Sequence, residues 1–117
     1  MNVALFYQTI NGNYEEALSR LMNDVLIEKF LTKFKNNQKL DELENAINDH
    51  DLEKAFMEVH TLKGVALNLS LTPLAEACSK LTEMLRGDNK YSANEKEYTE
   101  AFLDIKIQYK LIIDNIN

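Results

Sequence analysis

Residues 51–69 read DLEKAFMEVHTLKGVALNL, and their apolar positions recur at the spacing of one face of an α-helix. That face comprises Leu52, Ala55, Phe56, Val59, Leu62, Ala66 and Leu69. Asp51 stands directly before the face, where an aspartate is a favoured N-cap because its carboxylate accepts hydrogen bonds from free backbone N–H groups. The stretch therefore predicts a helix that starts after Asp51 and buries one side against other helices.

Helical spacing also recurs before and after this stretch. The further predicted helices cover residues 14–34, 40–47, 74–85 and 98–116, with a short helix before the turn Asn11-Gly12-Asn13. A break in the first of them is expected around Met22–Asp24. No segment alternates with period two over the length of a strand. The sequence therefore predicts an all-α protein, an antiparallel four-helix bundle with a short additional N-terminal helix, as a single domain over residues 1–117.

Polar residues and glycine indicate where several of these helices begin and end. Two pairs have the spacing of an N-cap with a supporting carboxylate three residues later: Asn13 with Glu16, and Ser92 with Glu95. Thr72 is a predicted N-cap because Pro73 follows it, and proline is favoured at the first helical position. Gly87 is the predicted residue just beyond the end of the helix that starts there.

The composition limits the classes of protein to which the chain can belong. It has 117 residues, a formal net charge of −6 and one cysteine. Binding to nucleic acid depends on Lys and Arg contacts to phosphate, and no basic stripe occurs. No apolar run approaches the roughly 20 residues of a membrane span. We therefore expect a cytoplasmic protein that binds neither nucleic acid nor membrane, with a monomer as the default state.

A glycine stands inside the predicted central helix, at Gly64, where glycine costs about 0.5–1 kcal/mol relative to alanine. Departures from local preference concentrate at functional positions. Helical geometry places Gly64 on one flank together with His60, Lys63 and Leu67. This flank lies beside the apolar face, so His60 is predicted to be exposed next to the core.

The residues on this flank suit attack on a phosphoryl group. An exposed imidazole is in large part neutral, and so nucleophilic, at the pH of a cytoplasm. Lys63, one turn on, would attract phosphoryl oxygens, and Gly64 would leave room above the imidazole for a partner's active site. A surface His–Lys pair and a helix glycine also occur for structural reasons alone. The physical argument by itself leaves that alternative open.

The segment Ala55–Ala66, with His60-Thr61-Leu62-Lys63-Gly64 at its centre, closely resembles the signature of histidine-containing phosphotransfer (HPt) domains. Residues 48–55 resemble the entry to the histidine helix of that family, and residues 68–77 resemble its turn into the following helix. The turn Asn11-Gly12-Asn13 resembles the break after the family's first helix. Nearly the whole chain is therefore similar to the family, residues 51–86 most closely.

The resemblance implies a phosphocarrier in a two-component His–Asp phosphorelay, and the abundance of Asn, Lys and Ile indicates a bacterial source. His60 would accept a phosphoryl group from a receiver-domain aspartate or a kinase and pass it to a response regulator. The expected partners are response-regulator receiver domains and a sensor hybrid histidine kinase. No cofactor is expected in this chain, because the Mg²⁺ used in transfer belongs to the receiver. Neither an ATP site nor independent turnover is expected, so the protein would not be an enzyme.

The resemblance also assigns roles to the residues around His60. Lys63 would assist electrostatically and Gly64 would grant access. The expected docking patch consists of Met57, Thr61, Leu67 and Asn68. Many members of the family place Gln or Glu on the next helix, where it hydrogen-bonds the imidazole. The matching residue here is Thr82, a shorter acceptor, which is the expected support for the imidazole or part of the docking surface.

The sequence also allows interpretations other than a phosphocarrier. His50 lies ten residues before His60, outside the spacing that brings two ligands together on a helix, so no metal site is predicted. Cys78 falls on an apolar face and is expected to be buried.

The chain could instead be an adaptor that binds receivers or kinases without transfer, although it retains His60, Lys63 and Gly64. A phosphoacceptor fragment of a chemotaxis-type kinase is the third reading, disfavoured by the start at Met1.

Overall fold

Eight helices follow one another in residues 1–116, which are the residues that the computed structural model describes, and no strand occurs among them. The helices are α1 (Val3–Ile10), α2 (Tyr14–Leu21), α3 (Asp24–Asn36), α4 (Lys39–Asn48), α5 (Leu52–Asn68), α6 (Thr72–Leu85), α7 (Asn89–Ser92) and α8 (Glu95–Asn115). The predicted all-α class is confirmed, and α1 is the short N-terminal helix. The helix predicted over residues 14–34 is two helices, because the chain turns at Met22, where φ is +77°.

Four of these helices, α4, α5, α6 and α8, form the bundle. Helix α5 packs against α4 and α6, and α8 packs against α6 and α4, so the four close around the buried apolar side chains. Residues 49–51 and 69–71 connect α5 to its neighbours, and connections this short join antiparallel helices. Helix α5 is thus held from two sides, and its remaining flank faces solvent.

Side-chain caps explain where several helices begin. Asn13 Oδ1 accepts a hydrogen bond from the backbone N–H of Glu16 at 3.0 Å. Asp51 Oδ1 accepts one from the N–H of Lys54 at 3.2 Å. These bonds satisfy N–H groups that have no partner within the helix. Both caps match the prediction from the sequence and set the starts of α2 and of α5.

Two of the predicted caps are wrong. Ser92 is the last residue of α7, and α8 is capped by Asn94, whose Oδ1 accepts from the N–H of Lys96 at 2.9 Å. Thr72 is itself the first residue of α6, so Leu71 occupies the cap position without a side-chain hydrogen bond. The prediction for the other end of α6 is confirmed. Gly87 follows the end of that helix with φ of +53°, a conformation that glycine adopts without strain.

The N-terminal segment is fastened to the C-terminal end of α5 by backbone carbonyls. The buried hydroxyl of Tyr7 donates to the carbonyl of Leu69 at 2.6 Å, and the N–H of Asn13 donates to the carbonyl of Ser70 at 3.1 Å. A Cβ at Gly12 would lie 2.9 Å from the same Ser70 oxygen, so the approach requires a glycine. These contacts supply donors to two carbonyls of the connection that follows α5.

A polar network on α2 completes this attachment. The Arg20 guanidinium donates to the carbonyl of Leu67 and, at 3.1 Å, to the hydroxyl of Ser70. Ser70 in turn donates to Glu16 at 2.9 Å, and Glu16 forms an ion pair with Arg20 at 3.1 Å. Ser70 is buried in a left-handed conformation with φ of +54°, and its hydroxyl has partners on both sides. The end of the central helix is therefore tied to α2 as well as to α1.

We expect the Tyr7→Phe variant to lower the free energy of unfolding by about 1–3 kcal/mol, because the buried Leu69 carbonyl loses its donor. Burial also raises the pKa of Tyr7. In the unfolded chain the Tyr7 hydroxyl ionises near pH 10, whereas in the folded protein it stays protonated. The stabilisation from the Tyr7 hydroxyl is therefore fully present below about pH 10 and decreases above it. Urea unfolding at neutral and high pH measures both effects.

The matched control for this variant is Tyr91→Phe, since Tyr91 is 77% exposed and gives up no buried contact. We expect that control to unfold at the wild-type urea concentration. Equal stability of Tyr7→Phe and the wild type would show that the Leu69 carbonyl needs no donor in this position.

Candidate functional site

His60 lies in the middle of α5, and the burial of its neighbours fixes its direction. Val59 and Leu62 are 0% and 1% exposed and hold α5 against the bundle. His60 itself is exposed, on the flank that the helical spacing predicts. Lys63 is partly exposed one turn further on. The structure thus presents an imidazole to solvent from a helix whose rotation is set by its core side chains.

Gly64 leaves open space next to the imidazole. A Cβ built at this position meets no atom within 4 Å apart from the backbone of its own helix and its chain neighbours. The glycine is therefore not needed for close packing against another helix, which removes the structural explanation for its presence. No side chain therefore projects from α5 at the position one turn beyond His60.

The ring of His60 is stacked on the ring of Phe56. Their centroids are 5.9 Å apart and their planes differ by 14°. The guanidinium carbon of Arg86, at the end of α6, lies 5.7 Å from the centroid of the same Phe56 ring. The helical spacing of the sequence predicts Phe56 only as a core residue. Its separation of four residues from His60, which makes the two neighbours on a helix, was the available indication.

Thr82 does not take the position expected from the resemblance. It is 0% exposed, so the prediction that it contributes to a docking surface is wrong. Its hydroxyl donates to the carbonyl of Cys78 at 2.7 Å, one turn back on its own helix. The hydrogen bonds within residues 1–116 include none between Thr82 and the imidazole of His60. The face of α6 that Thr82 shares with Cys78 and Leu81 turns inward, which explains its burial.

The four residues expected to form the docking patch are all exposed on α5. Met57 is 67% exposed and Leu67 is 48% exposed. The hydroxyl of Thr61 donates to the carbonyl of Met57 at 3.0 Å, one turn back on the same helix. Asn68 is exposed at the end of the helix. The flank around His60 thus combines two exposed apolar side chains, Met57 and Leu67, with polar ones and with Lys63 as its cation.

Open grooves run along both sides of α5. The first, of about 490 Å³, is lined on α3 by Phe30 and Lys33 and on α5 by Val65 and Asn68. The second, of about 390 Å³, lies between α5 and α6, and Lys63 and Leu67 line it on the α5 side. Both grooves border the C-terminal half of α5, and His60 lines neither of them.

The other residues with reactive side chains, His50 and Cys78, are held in contacts with neighbouring parts of the fold. His50 stands between α4 and α5, where its Nδ1 is 2.7 Å from the hydroxyl of Tyr98 and its Nε2 is 3.6 Å from Glu95. Cys78 is buried, as predicted. No group of three or more His, Cys, Asp or Glu side chains within residues 1–116 is placed to hold a metal ion.

We expect Cys78 to be unreactive toward thiol reagents in the folded protein. Burial raises the pKa of its thiol to about 12, although the positive charge of Lys63 acts in the opposite direction. Because the thiolate is the reacting form, modification at neutral pH should be at least about a hundred times slower than in the urea-unfolded chain. Spectrophotometric titration with a disulfide reagent measures both rates. Fast modification of the folded protein would show that α6 opens locally.

Comparison with known proteins gives one match. A family model described as "Hpt domain" matches residues 26–116, which cover most of the chain and include the whole of α4, α5, α6 and α8. Residues 1–25, which contain α1 and α2, precede the matched region. The searches of curated proteins and of solved structures found no match. Within residues 1–116, no helix is both long enough and apolar enough to cross a membrane.

Proposed function

Because the chain belongs to the Hpt domain family, we propose that it is a phosphocarrier of a His–Asp phosphorelay and that His60 carries the phosphoryl group. Domains of this family transfer phosphoryl groups through histidine and are not enzymes in the usual sense. The single observation that supports His60 is its exposure in the middle of α5, one turn before a glycine with open space above it. The only other histidine, His50, is engaged with Tyr98 outside this surface.

The proposed reaction is an in-line exchange between two side chains. The lone pair of a neutral ring nitrogen of His60 attacks the phosphorus of an aspartyl phosphate on a receiver domain. The bond between phosphorus and the aspartate oxygen breaks, and its electron pair stays on the carboxylate. The other ring nitrogen of His60 keeps its proton. Transfer to a second receiver is the same reaction in reverse, with the aspartate carboxylate as the nucleophile.

The neighbours of His60 have separate proposed roles in this exchange. Lys63, one turn away, places an ammonium group where it attracts the oxygens of the phosphoryl group during transfer. Gly64 lets the receiver's active site approach the ring. The exposed side chains of Met57, Thr61, Leu67 and Asn68 supply the surface on which the receiver docks.

The partners and conditions of the reaction are also part of the proposal. We infer that the donor is a sensor hybrid histidine kinase or a phosphorylated receiver domain, and that the acceptor is a response regulator. Mg²⁺ would be bound by the receiver, and this chain would supply no metal ligand and no ATP site. We place the protein in the bacterial cytoplasm as a monomer, where receivers and kinase domains meet.

Incubation with a radiolabelled phosphorylated receiver, or with a histidine kinase and ATP, tests the proposal. We expect label on this protein that is lost in acid and stable in base, since phosphohistidine has these properties and aspartyl phosphate does not survive base. Subsequent addition of an unlabelled receiver should remove the label. Failure of every receiver and kinase of the host to label the protein would favour the adaptor that binds the same partners without transfer.

A further inference from the structure

The imidazole of a phosphocarrier must be held in one orientation. In this structure the imidazole makes a stacking contact and lacks the expected hydrogen bond. Thr82, the expected support, is buried and bonded to the carbonyl of Cys78. The described contact of the His60 ring is the parallel ring of Phe56, one turn earlier on α5. The imidazole is thus stacked on a ring of its own helix and makes no hydrogen bond to Thr82 on α6.

The geometry of a helix favours this contact. Helical side chains lean toward the N-terminus of their own helix, so a residue covers the turn that precedes it. The imidazole of His60 accordingly leans over residue 56, and a planar ring at that position meets it face to face. The interplanar angle of 14° and the centroid separation of 5.9 Å are those of an offset stack. Aliphatic side chains of similar volume offer no such plane.

Phe56 is itself held in place. Its ring is partly buried and packs against the hydrophobic core. The Arg86 guanidinium lies over the ring, 5.7 Å from its centroid, and Arg86 Nε is bonded to Glu83 Oε1 at 3.1 Å. A phenyl ring has only two rotatable side-chain bonds, so these contacts leave it little freedom. His60 thus rests on a surface that is fixed by both α5 and α6.

We propose that Phe56 is the positioning residue for the His60 imidazole, restricting the ring to the orientation from which it attacks the phosphoryl group. The claim that this orientation serves phosphoryl transfer rests on the proposed function. The claim that Phe56 orients the ring does not, because the stacking exists in this protein without any partner. Phe56 touches no reacting atom, and it acts only through His60.

The test compares three variants. Phe56→Leu keeps an apolar side chain but removes the ring, and Phe56→Tyr keeps the ring. Phe30→Leu is the matched control, because Phe30 is also a partly exposed phenylalanine with a cation over its ring, Lys33 Nζ at 5.6 Å, but without a stacked imidazole. Urea unfolding and the resonances of core residues establish that each variant is folded before His60 is measured.

The first readout is the NMR spectrum of protein labelled in its histidine rings. In Phe56→Leu we expect the ring protons of His60 to shift, because the ring current of Phe56 is lost, and contacts between His60 and residue 56 to become averaged. Phe56→Tyr should restore the wild-type pattern, and Phe30→Leu should leave it unchanged. Unchanged His60 resonances in Phe56→Leu would overturn the proposal, whether or not the protein transfers phosphate.

The second readout is the rate of phosphoryl transfer from a receiver at saturating concentration. We expect this rate to fall about tenfold in Phe56→Leu with little change in the receiver concentration for half-maximal rate, since orientation and not docking is impaired. Phe56→Tyr should recover the rate. A wild-type rate in Phe56→Leu would overturn the positioning role. Absence of transfer in the wild type would refute the proposed function, and the NMR comparison would then decide whether Phe56 orients the ring.

Discussion

We expect the His60→Gln variant to take up no phosphoryl label from a phosphorylated receiver or from a kinase with ATP. Glutamine preserves polarity and approximate size but has no basic nitrogen that can attack phosphorus. Because His60 is exposed, the free energy of unfolding should stay within about 0.5 kcal/mol of the wild type. Loss of label without loss of stability would assign the transfer to this one side chain.

The matched control is His50→Gln, which removes the only other histidine of the chain. His50 stands between α4 and α5 and contacts Tyr98 and Glu95, away from the flank that carries Lys63 and Gly64. We expect this variant to be labelled at the wild-type rate. Label that persisted in His60→Gln and disappeared in His50→Gln would place the phosphoryl group on the wrong histidine for the proposed function.

The second large effect is expected from Gly64→Glu, which should fold normally and yet fail to transfer. A Cβ at this position meets no neighbouring atom within 4 Å and the glycine is exposed, so we expect the added side chain to extend into solvent without disturbing the bundle. The added carboxylate would occupy the approach to His60 and repel a phosphoryl group by its like charge. We expect transfer to fall by at least about a hundredfold, a loss typical of a misplaced catalytic contact. Labelling time courses and urea unfolding measure the two properties.

Gly64→Ala separates access from helix stability. Alanine removes the backbone freedom of glycine, so the free energy of unfolding should rise by about 0.5–1 kcal/mol. Its single methyl group should slow transfer much less than the glutamate does. If Gly64→Glu transferred at the wild-type rate, the glycine would have no role in access and its place in the middle of α5 would need another explanation.

Much of the fold could be predicted because it depends on spacing within single helices. The caps at Asn13 and Asp51 and the break near Met22 follow from local hydrogen bonding and backbone conformation. The cap of α8 could not be chosen correctly, because Ser92 and Asn94 are both good capping residues and only their tertiary setting decides between them. The short helix α7 takes Ser92 and leaves Asn94 to begin α8.

Part of the candidate site could be predicted for the same reason. The rest could not, because it depends on contacts between helices. His60, Lys63 and Gly64 share a flank because of the helical repeat, which the sequence displays directly. The surroundings of the imidazole depend instead on how α6 is rotated against α5. That rotation buries Thr82 and brings Arg86 over Phe56, and neither contact can be read from one helix alone. The prediction failed where the site crosses from one helix to its neighbour.

The attachment of the N-terminal segment bears on where a minimal version of this domain can be cut. The family match begins at residue 26, which suggests that the preceding residues are dispensable. Yet the segment before that point supplies the donors for the carbonyls of Leu69 and Ser70, at the end of the helix that carries His60. Removal of residues 1–25 would therefore leave these two carbonyl oxygens either buried without a donor or exposed to water. In both cases we expect the last turn of α5 to become less stable. We therefore expect the smallest unit that folds stably to include residues before the region matched by the family model.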